Sequence, residues 1–430
     1  MTEYKITGVK ARQVYNAIWD PTLATTVTIN GRYSATCIAP KGQSTGEGEA
    51  IELRDGGIPF GGMGCSKAIE SVNHEIADAI IGMDATDQRT IDRTMIELDG
   101  TDCKGRLGAN AIVSTSAAVA KAAAMAVGLP LYKYLYSNAR VLPVPVMSII
   151  DGAHYAFDCG PDFQEFNLYP LGASSLYEAI RHCYDVFSVL GDMFEKEYGG
   201  LAARLCNGAG SYCIPVRSHR KICEYLTKAI EKSGHMGEMF FGVDCAASHF
   251  YDKDTGLYTF ESSKRTREEL LDIYKGLIKD FPIVSIEDPF EENDLDGHIL
   301  ATKELGIQVV GDDLFVTNSD RLRKYIPQGA CNAMVWKYNQ VGTISEALDA
   351  ADVARCSSYA IQTSERSGEN EDSVLADLTV AIGGSQIKTG VVARCEHTVK
   401  YNRLLKIEED LGADAIYPGK YLSCPFMNIK

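Results

Sequence analysis

The sequence has no Cys-X-X-Cys pair, no apolar run long enough to cross a bilayer, and no excess of basic charge. Its thirteen cysteines are scattered without a regular framework. That argues against a disulfide scaffold and for reduced thiols. The N-terminus, MTEYKITGVKARQ, carries no hydrophobic signal region, so a cytoplasmic location is expected. Lys and Arg together number 42 against 58 Asp and Glu, a net charge of −16. This balance speaks against nucleic acid or membrane as a partner. It does not forbid an anionic small-molecule substrate, because local cations override the global field.

What is present is an ordinary globular composition, 45% hydrophobic over 430 residues, enough for one large core and a smaller companion domain. Strand-like alternation opens the chain in KITGVKARQVYN, TTVTIN and YSATCIAP. A Gly-rich loop follows, KGQSTGEGEAIELRDGG, and then helical patterns over roughly 66 to 82 and 86 to 97. Residues 108 to 126, rich in Ala and other small side chains, predict a tightly packed helix ended by GLP.

From about residue 142 the pattern changes. Apolar runs recur, each closed by polar residues: MFFGVD at Asp244, PIVSIED at Glu287, IQVVGDD at Asp312, AMVWKYN at Lys337, YAIQTSE at Glu365 and SQIKTG at Lys388. Helical patterns lie between several of them. Glu287 to Asp312 and Asp312 to Lys337 are each 25 residues, one βα unit per step. Strands buried on both faces read as continuous apolar runs. The expectation is an α/β chain with a (β/α)8 barrel carrying its site at the C-terminal strand ends. A doubly wound sheet is the competing architecture.

Carboxylates at strand ends need compensation if buried. Taken singly, Asp244, Glu287 and Asp312 are as well explained by helix capping or by pairing with Lys or Arg. Taken together on one barrel face, three converging carboxylates call for a divalent cation, and hard oxygen donors without His or Cys favour Mg²⁺. Lys337 and Lys388 close later strands of the same series. A lysine beside a metal and a second ammonium is expected to have a lowered pKa and to act as a base. A lysine base with Mg²⁺ suits removal of a proton next to a carboxylate.

The motifs VSIEDPF, VVGDDLFVTN, MVWKYNQVGTISEA, RSGENED, SQIKTG and KYNRLLKIEEDLG resemble the enolase family, the phosphopyruvate hydratases of glycolysis. So do STGEGEAIELRDG, GRLGANAIVSTSAAVAKAAA and QEFNLYPLGA in the N-terminal half. The resemblance runs nearly end to end. It implies an N-terminal α+β capping domain over 1–138, a modified (β/α)8 barrel over 139–430, and a homodimer or a higher assembly of dimers. It implies Asp244, Glu287 and Asp312 as ligands of a tightly held Mg²⁺, with Ser44 helping to bind a second Mg²⁺ brought with substrate. Lys337 matches the base and Glu165 one of two catalytic glutamates. Lys388 matches the cation that holds the substrate carboxylate, and Arg366 and Ser367 match phosphate contacts. Gln164, Glu365 and His154 are further candidates for substrate contact.

The departures from the family pattern are local. Where enolases carry GDEGG, whose Glu helps expel the C3 hydroxyl, this chain reads RLCNGAGSYCIP, and Ala209 or a neighbouring glycine takes the acid's place. SHRSG becomes SERSG, so Glu365 stands for a His. Gly48 replaces another His and Lys41 a serine. NAIWDPT replaces DSRGNPT, with loss of an interface Arg. The loop before QEF is two residues longer, which shifts His154. Three functions are therefore weighed: phosphopyruvate hydratase, an enolase-derived enzyme acting on another phospho- or phosphono-carboxylate (like carboxyphosphonoenolpyruvate synthase), and a non-catalytic binding protein. In the second, Glu365, Tyr212 and Lys41 reshape the pocket.

Overall fold

The structure is a computed structural model that describes residues 3–153, 160–200 and 210–419. The N-terminal strands β1 (Ile6–Tyr15), β2 (Pro21–Ile29) and β3 (Tyr33–Ile38) form an antiparallel sheet in the order 1-2-3. The helix Ala109–Val127 packs on β2 and β3. Its run of Ala, Ser and Thr lets the backbones approach closely, and Thr25 Oγ1 meets Ser114 Oγ at 2.7 Å. Gly128, in the left-handed region at φ +76°, ends it. This helix corrects the reading that no segment could cross a bilayer. By length and composition it could, but 83% of it is buried inside the fold. The helix expected over 66 to 82 is Ser66–Ser71 and Ala77–Ile80 joined by a wider turn at Val72–Ile76.

The rest of the chain closes an eight-stranded barrel from β4 (Val144–Asp151), β5 (Glu165–Tyr169), β6 (Phe240–Asp244), and five later strands. Those are β10 (Ile283–Glu287), β11 (Gln308–Gly311), β12 (Ala333–Trp336), β13 (Ala360–Ser364) and β14 (Gln386–Lys388). A small outer sheet, β7 (Tyr251–Asp252), β8 (Leu257–Phe260) and β9 (Ser263–Arg265), follows β6. Helices cover the outside, several with side-chain caps. Thr266 and Glu269 make a reciprocal capping box at Arg267–Asp280.

Two features of the barrel differ from the expectation of uniform parallel, apolar strands. First, β5 runs antiparallel to both β4 and β6. Its first residue, Glu165, therefore sits at the same mouth as the last residues of its neighbours, paired with Asp151 and Asp244. Second, the barrel interior is polar. Gln308 and Gln386 exchange side-chain hydrogen bonds of 3.0 and 2.7 Å. Gln308 also donates to Ser285 Oγ at 2.9 Å, and Tyr169 donates to Gln362 Oε1 at 3.1 Å. Buried amides survive here because they satisfy one another.

On the outer face of the barrel, His298 is fully buried, with Nδ1 3.8 Å from Cys331 Sγ. Burial pushes its pKa down to about 4. The unfolded chain thus binds one more proton than the folded chain between pH 4 and about 6.5, so stability rises with pH through that window. Relative to His298→Gln, the native protein should lose about 3 kcal/mol between pH 6.5 and 4. Parallel denaturant titrations at the two pH values check this; equal losses would refute it.

Candidate active site

A cavity of about 320 Å³ opens at the barrel mouth. Into it converge the ends of β4, β6, β11 to β14, the start of β5, and the Gly-rich loop of the N-terminal domain. Among the predicted residues, Ser44, Gln164, Glu165, Asp244, Asp312, Lys337, Glu365, Arg366, Ser367 and Lys388 line it. Glu287 lies just beneath, 4% exposed. His154 and Ala209 fall outside the described residues. Gly210, not itself among the lining residues, packs against Val391.

Lys388 is the electrostatic centre. Its ammonium lies 2.7 Å from Asp244 Oδ2, 3.0 Å from Glu287 Oε1 and 3.0 Å from Glu165 Oε2. Gln362 donates to Glu287 at 2.8 Å and Gln164 to Asp244 at 3.1 Å. The polar barrel interior thus reaches up to fix Glu287. Burial raises the pKa of Glu287 well above the usual range, with Asp244 adding to it and Lys388 opposing. Burial also raises Glu165, against the pull of Lys388. For Lys388, burial lowers the pKa, but Asp244, Glu165 and Glu287 outweigh it and hold the ammonium charged.

Lys337 forms a largely buried ion pair with Asp312. Gln340 donates to the other Asp312 oxygen at 3.1 Å, and Gln340 is itself held by Thr317 at 2.5 Å. Burial pushes Asp312 up, but Lys337 pulls its pKa below normal. Among the protein groups alone, Lys337 is held above its ordinary pKa. Burial and Arg366 lower it, yet Asp312, Glu49 and Asp313 raise it further. The second cation beside Lys337 is Arg366, not Lys388.

Arg366 donates to Glu49 at 3.0 and 3.2 Å, to Asn339 Oδ1 at 3.0 Å and to the Ser44 carbonyl at 3.1 Å. It thereby pins the Gly-rich loop to the barrel. Gly42 runs so close to the guanidinium that any Cβ there would collide with it. Ser367 Oγ accepts from the Gln43 amide at 2.7 Å. Ser44 Oγ stands 3.2 Å from His249 Nε2.

Glu365 accepts from Thr389 Oγ1 at 2.7 Å and pairs with His397 Nδ1 at 2.7 Å. The two other residues read as reshaping the pocket do not line it. Lys41 pairs with Asp20. Tyr212 stacks on Phe187 at 4.4 Å behind β4. From the NAIWDPT segment, Ile18 does line the cavity.

The three predicted ligands, Asp244, Glu287 and Asp312, are engaged by the two lysines. Among the described residues, three carboxylates have oxygens within 4.8 Å of one another: Asp288, Asp312 and Asp313. Asp244 and Glu287 are drawn instead to Lys388. Asp288, strained at φ +40°, accepts from the Asp312 and Asp313 amides at 2.9 and 3.0 Å and so shapes the turn. Burial and Asp312 push Asp313 up to about 8. Among the described residues the carboxylates around the mouth outnumber Lys337, Lys388 and Arg366, and none of Asp244, Glu287 and Asp312 is replaced by a nitrogen or sulfur donor. This donor set fits a hard divalent cation.

Sequence reasoning missed Asp151, Asp313, Gln362 and His397. Asp151 closes the run VPVMSIID just as the recognised acids close theirs, so the same signal was available for it. Asp313, next to Asp312 at the end of IQVVGDD, carried the same signal, whereas Gln362 and His397 have no signature in the linear pattern.

Comparison with known proteins matches residues 6–135 to the model of the enolase N-terminal domain and residues 139–425 to that of the enolase C-terminal TIM barrel domain. The chain is 48% identical to the enolase of Methanocaldococcus jannaschii over 98% of this chain and 99% of that one. It is 48% identical to the enolase of Methanopyrus kandleri over 96% and 97% of the two chains, and 47% identical to that of Thermococcus gammatolerans over 99% of each.

Proposed function

The chain belongs to the enolase family and is an enolase-type carbon–oxygen lyase, and from that premise we propose that it removes the proton next to the carboxylate of 2-phosphoglycerate or a close phospho-carboxylate. The observation that carries this reading is the pairing of Lys337 with Asp312 in the same cavity mouth as that of Lys388 with Asp244, Glu287 and Glu165. A base and a fixed cation, carried by β12 and β14 with one strand between them, face the same space lined by acids. In this reading Lys337 takes the C2 proton. Lys388 and Gln164 hold the substrate carboxylate, and Arg366, Ser367 and the Gly-rich loop hold the phosphate, the planar guanidinium matching its geometry. Glu165 moves protons on the opposite face.

Asp244, Glu287 and Asp312 would hold Mg²⁺, and Ser44 would contribute to a second ion. When bound, Mg²⁺ disperses the charge that develops on the substrate carboxylate as the proton leaves. Asp312→Asn should weaken Mg²⁺ binding by about tenfold or more, read by isothermal titration. An unaltered titration would remove Asp312 from the ligand set.

A second reading, a divergent substrate, is favoured by Glu365 and its partners. A glutamate held by Thr389 and His397 faces the cavity where the family pattern carries a His. The experiment that separates the readings is NMR of 2-phosphoglycerate with enzyme and Mg²⁺ in D₂O. Loss of the C2 proton together with vinyl signals supports hydratase activity with a substitute acid. Exchange without vinyl product supports a different substrate for the same base. No exchange at all sinks the first reading and moves the search to phosphonates.

Glu365 and His397 supply a further test. If they assist departure of the hydroxide, Glu365→Gln and His397→Ala should each cut vinyl formation by about 10²-fold or more while C2 exchange persists. Equal loss of both rates would assign the pair to binding instead.

A further inference from the structure

At the far end of the barrel from the catalytic cavity, just before β6 begins, the turn after helix His219–Ser233 brings two side chains against helix Leu176–Tyr198. The turn is locked by its own backbone. His235 N donates to the Ile230 carbonyl at 3.1 Å, and the Glu238 and Met239 amides each donate to the His235 carbonyl at 3.0 Å. The imidazoles of His182 and His235 lie with ring centroids 4.0 Å apart. One nitrogen from each ring and one Glu238 oxygen all fall within 4.8 Å of one another.

The hydrogen bonds around this cluster are uneven. His235 Nε2 is held by Asp185 Oδ2 at 3.0 Å, which leaves Nδ1 facing Glu238 Oε2 at 3.4 Å. Two donors each about 2.0–2.1 Å from a tetrahedral Zn²⁺ stand roughly 3.3 Å apart, so this pair already has a ligand–ligand separation. An imidazole that gives its other N–H to a carboxylate is the usual support of a metal-bound histidine. His182 is only 3% exposed, and its Nδ1 has no hydrogen-bond partner among the described residues. Its Nε2 meets Arg181 at 3.2 Å and Glu178 at 3.7 Å. Burial, reinforced by His235, lowers the His182 pKa and keeps the ring neutral, the form that ligates. Arg181 brings an opposing charge. Its guanidinium also touches Glu178 at 3.3 Å and Asp185 at 3.9 Å, and it is half exposed and able to swing outward.

We propose that His182, His235 and Glu238 form a structural binding site for a borderline divalent metal of the Zn²⁺ class, with Asp185 orienting His235. Mixed imidazole and carboxylate donors select such an ion over Mg²⁺. The exposed side of Glu238 leaves a fourth position to water. The bound ion would tie the turn before β6 to the helix Leu176–Tyr198.

The test uses the untagged full-length protein in excess Mg²⁺, with Co²⁺ as a spectroscopic probe. One equivalent of Co²⁺ should give the visible bands of a tetrahedral site, and Zn²⁺ should displace it. Tm should also rise with each decade of Zn²⁺ concentration. Glu238→Gln, on an exposed turn, keeps the fold and should weaken Co²⁺ binding at least tenfold, while His235→Ala should abolish the bands. Absence of tetrahedral bands in the native protein, or bands undiminished in Glu238→Gln, would overturn the assignment and leave a stacked histidine pair of purely packing value.

Discussion

Lys337→Ala is expected to stop exchange of the C2 proton of 2-phosphoglycerate with solvent deuterium, a fall of about 10²- to 10⁴-fold or more. The reasoning rests on position. Lys337 is largely buried, has Asp312 as its ion-pair partner and lines the same cavity as Lys388. Its proton is held firmly while Asp312 pairs with it, because the carboxylate raises its pKa despite burial. Any cation that engages Asp312 competes with the ammonium and frees the amine to act as a base. The same variant should therefore bind Mg²⁺ as well as the native protein, or more tightly, since Asp312 loses its internal partner. That separates a missing base from a damaged metal site. Exchange at the native rate would reject Lys337 as the base.

Lys388→Met should be the most destabilising single change at the barrel mouth. It removes the cation shared by Asp244, Glu287 and Glu165, all nearly buried. Removing one partner of a buried ion pair typically costs about 3–5 kcal/mol, because the remaining charge has no water to compensate it. The loss should depend on pH in a definite sense. Glu287 and Glu165 already have raised pKa values in the folded state. At low pH they are protonated and need no ammonium, so the cost of losing Lys388 is small. As pH rises above the ordinary carboxylate range, the unfolded chain releases those protons more readily than the folded one, and the variant falls further behind the native protein. Denaturant titrations in EDTA at pH 5 and pH 8 check the sign. Saturating Mg²⁺ should recover part of the loss by replacing the missing positive charge. A variant as stable as the native protein in EDTA at pH 8 would show that Lys388 does not balance these acids.

The contrast between the expected metal triad and the observed pairing shows how far a linear pattern reaches. Asp244, Glu287, Asp312, Lys337 and Lys388 were visible because each closes an apolar run. A buried parallel strand gives that pattern whenever its C-terminal end reaches a polar mouth. Glu165 escaped this logic because it opens a strand rather than closing one. Its place at the mouth follows from the antiparallel direction of β5, which no residue spacing announces. His397 lies on the helix Cys395–Leu411 and meets Glu365 only because that helix returns to the mouth after β14.

By itself the sequence determined the barrel, the small-residue helix against the N-terminal sheet, and the acid-and-lysine character of the strand ends. Each depends on local periodicity, and burial imposes periodicity directly on the residues. Only the tertiary structure decided which charge pairs with which. Lys388 gathers Asp244, Glu287 and Glu165; Lys337 takes Asp312; Arg366 ties the Gly-rich loop through Glu49. Coulomb interactions in a low-dielectric mouth act over a few ångströms between residues more than a hundred positions apart, as Lys388 and Asp244 are. Chain order carries no record of such distances, so the pairing appears only when the barrel closes.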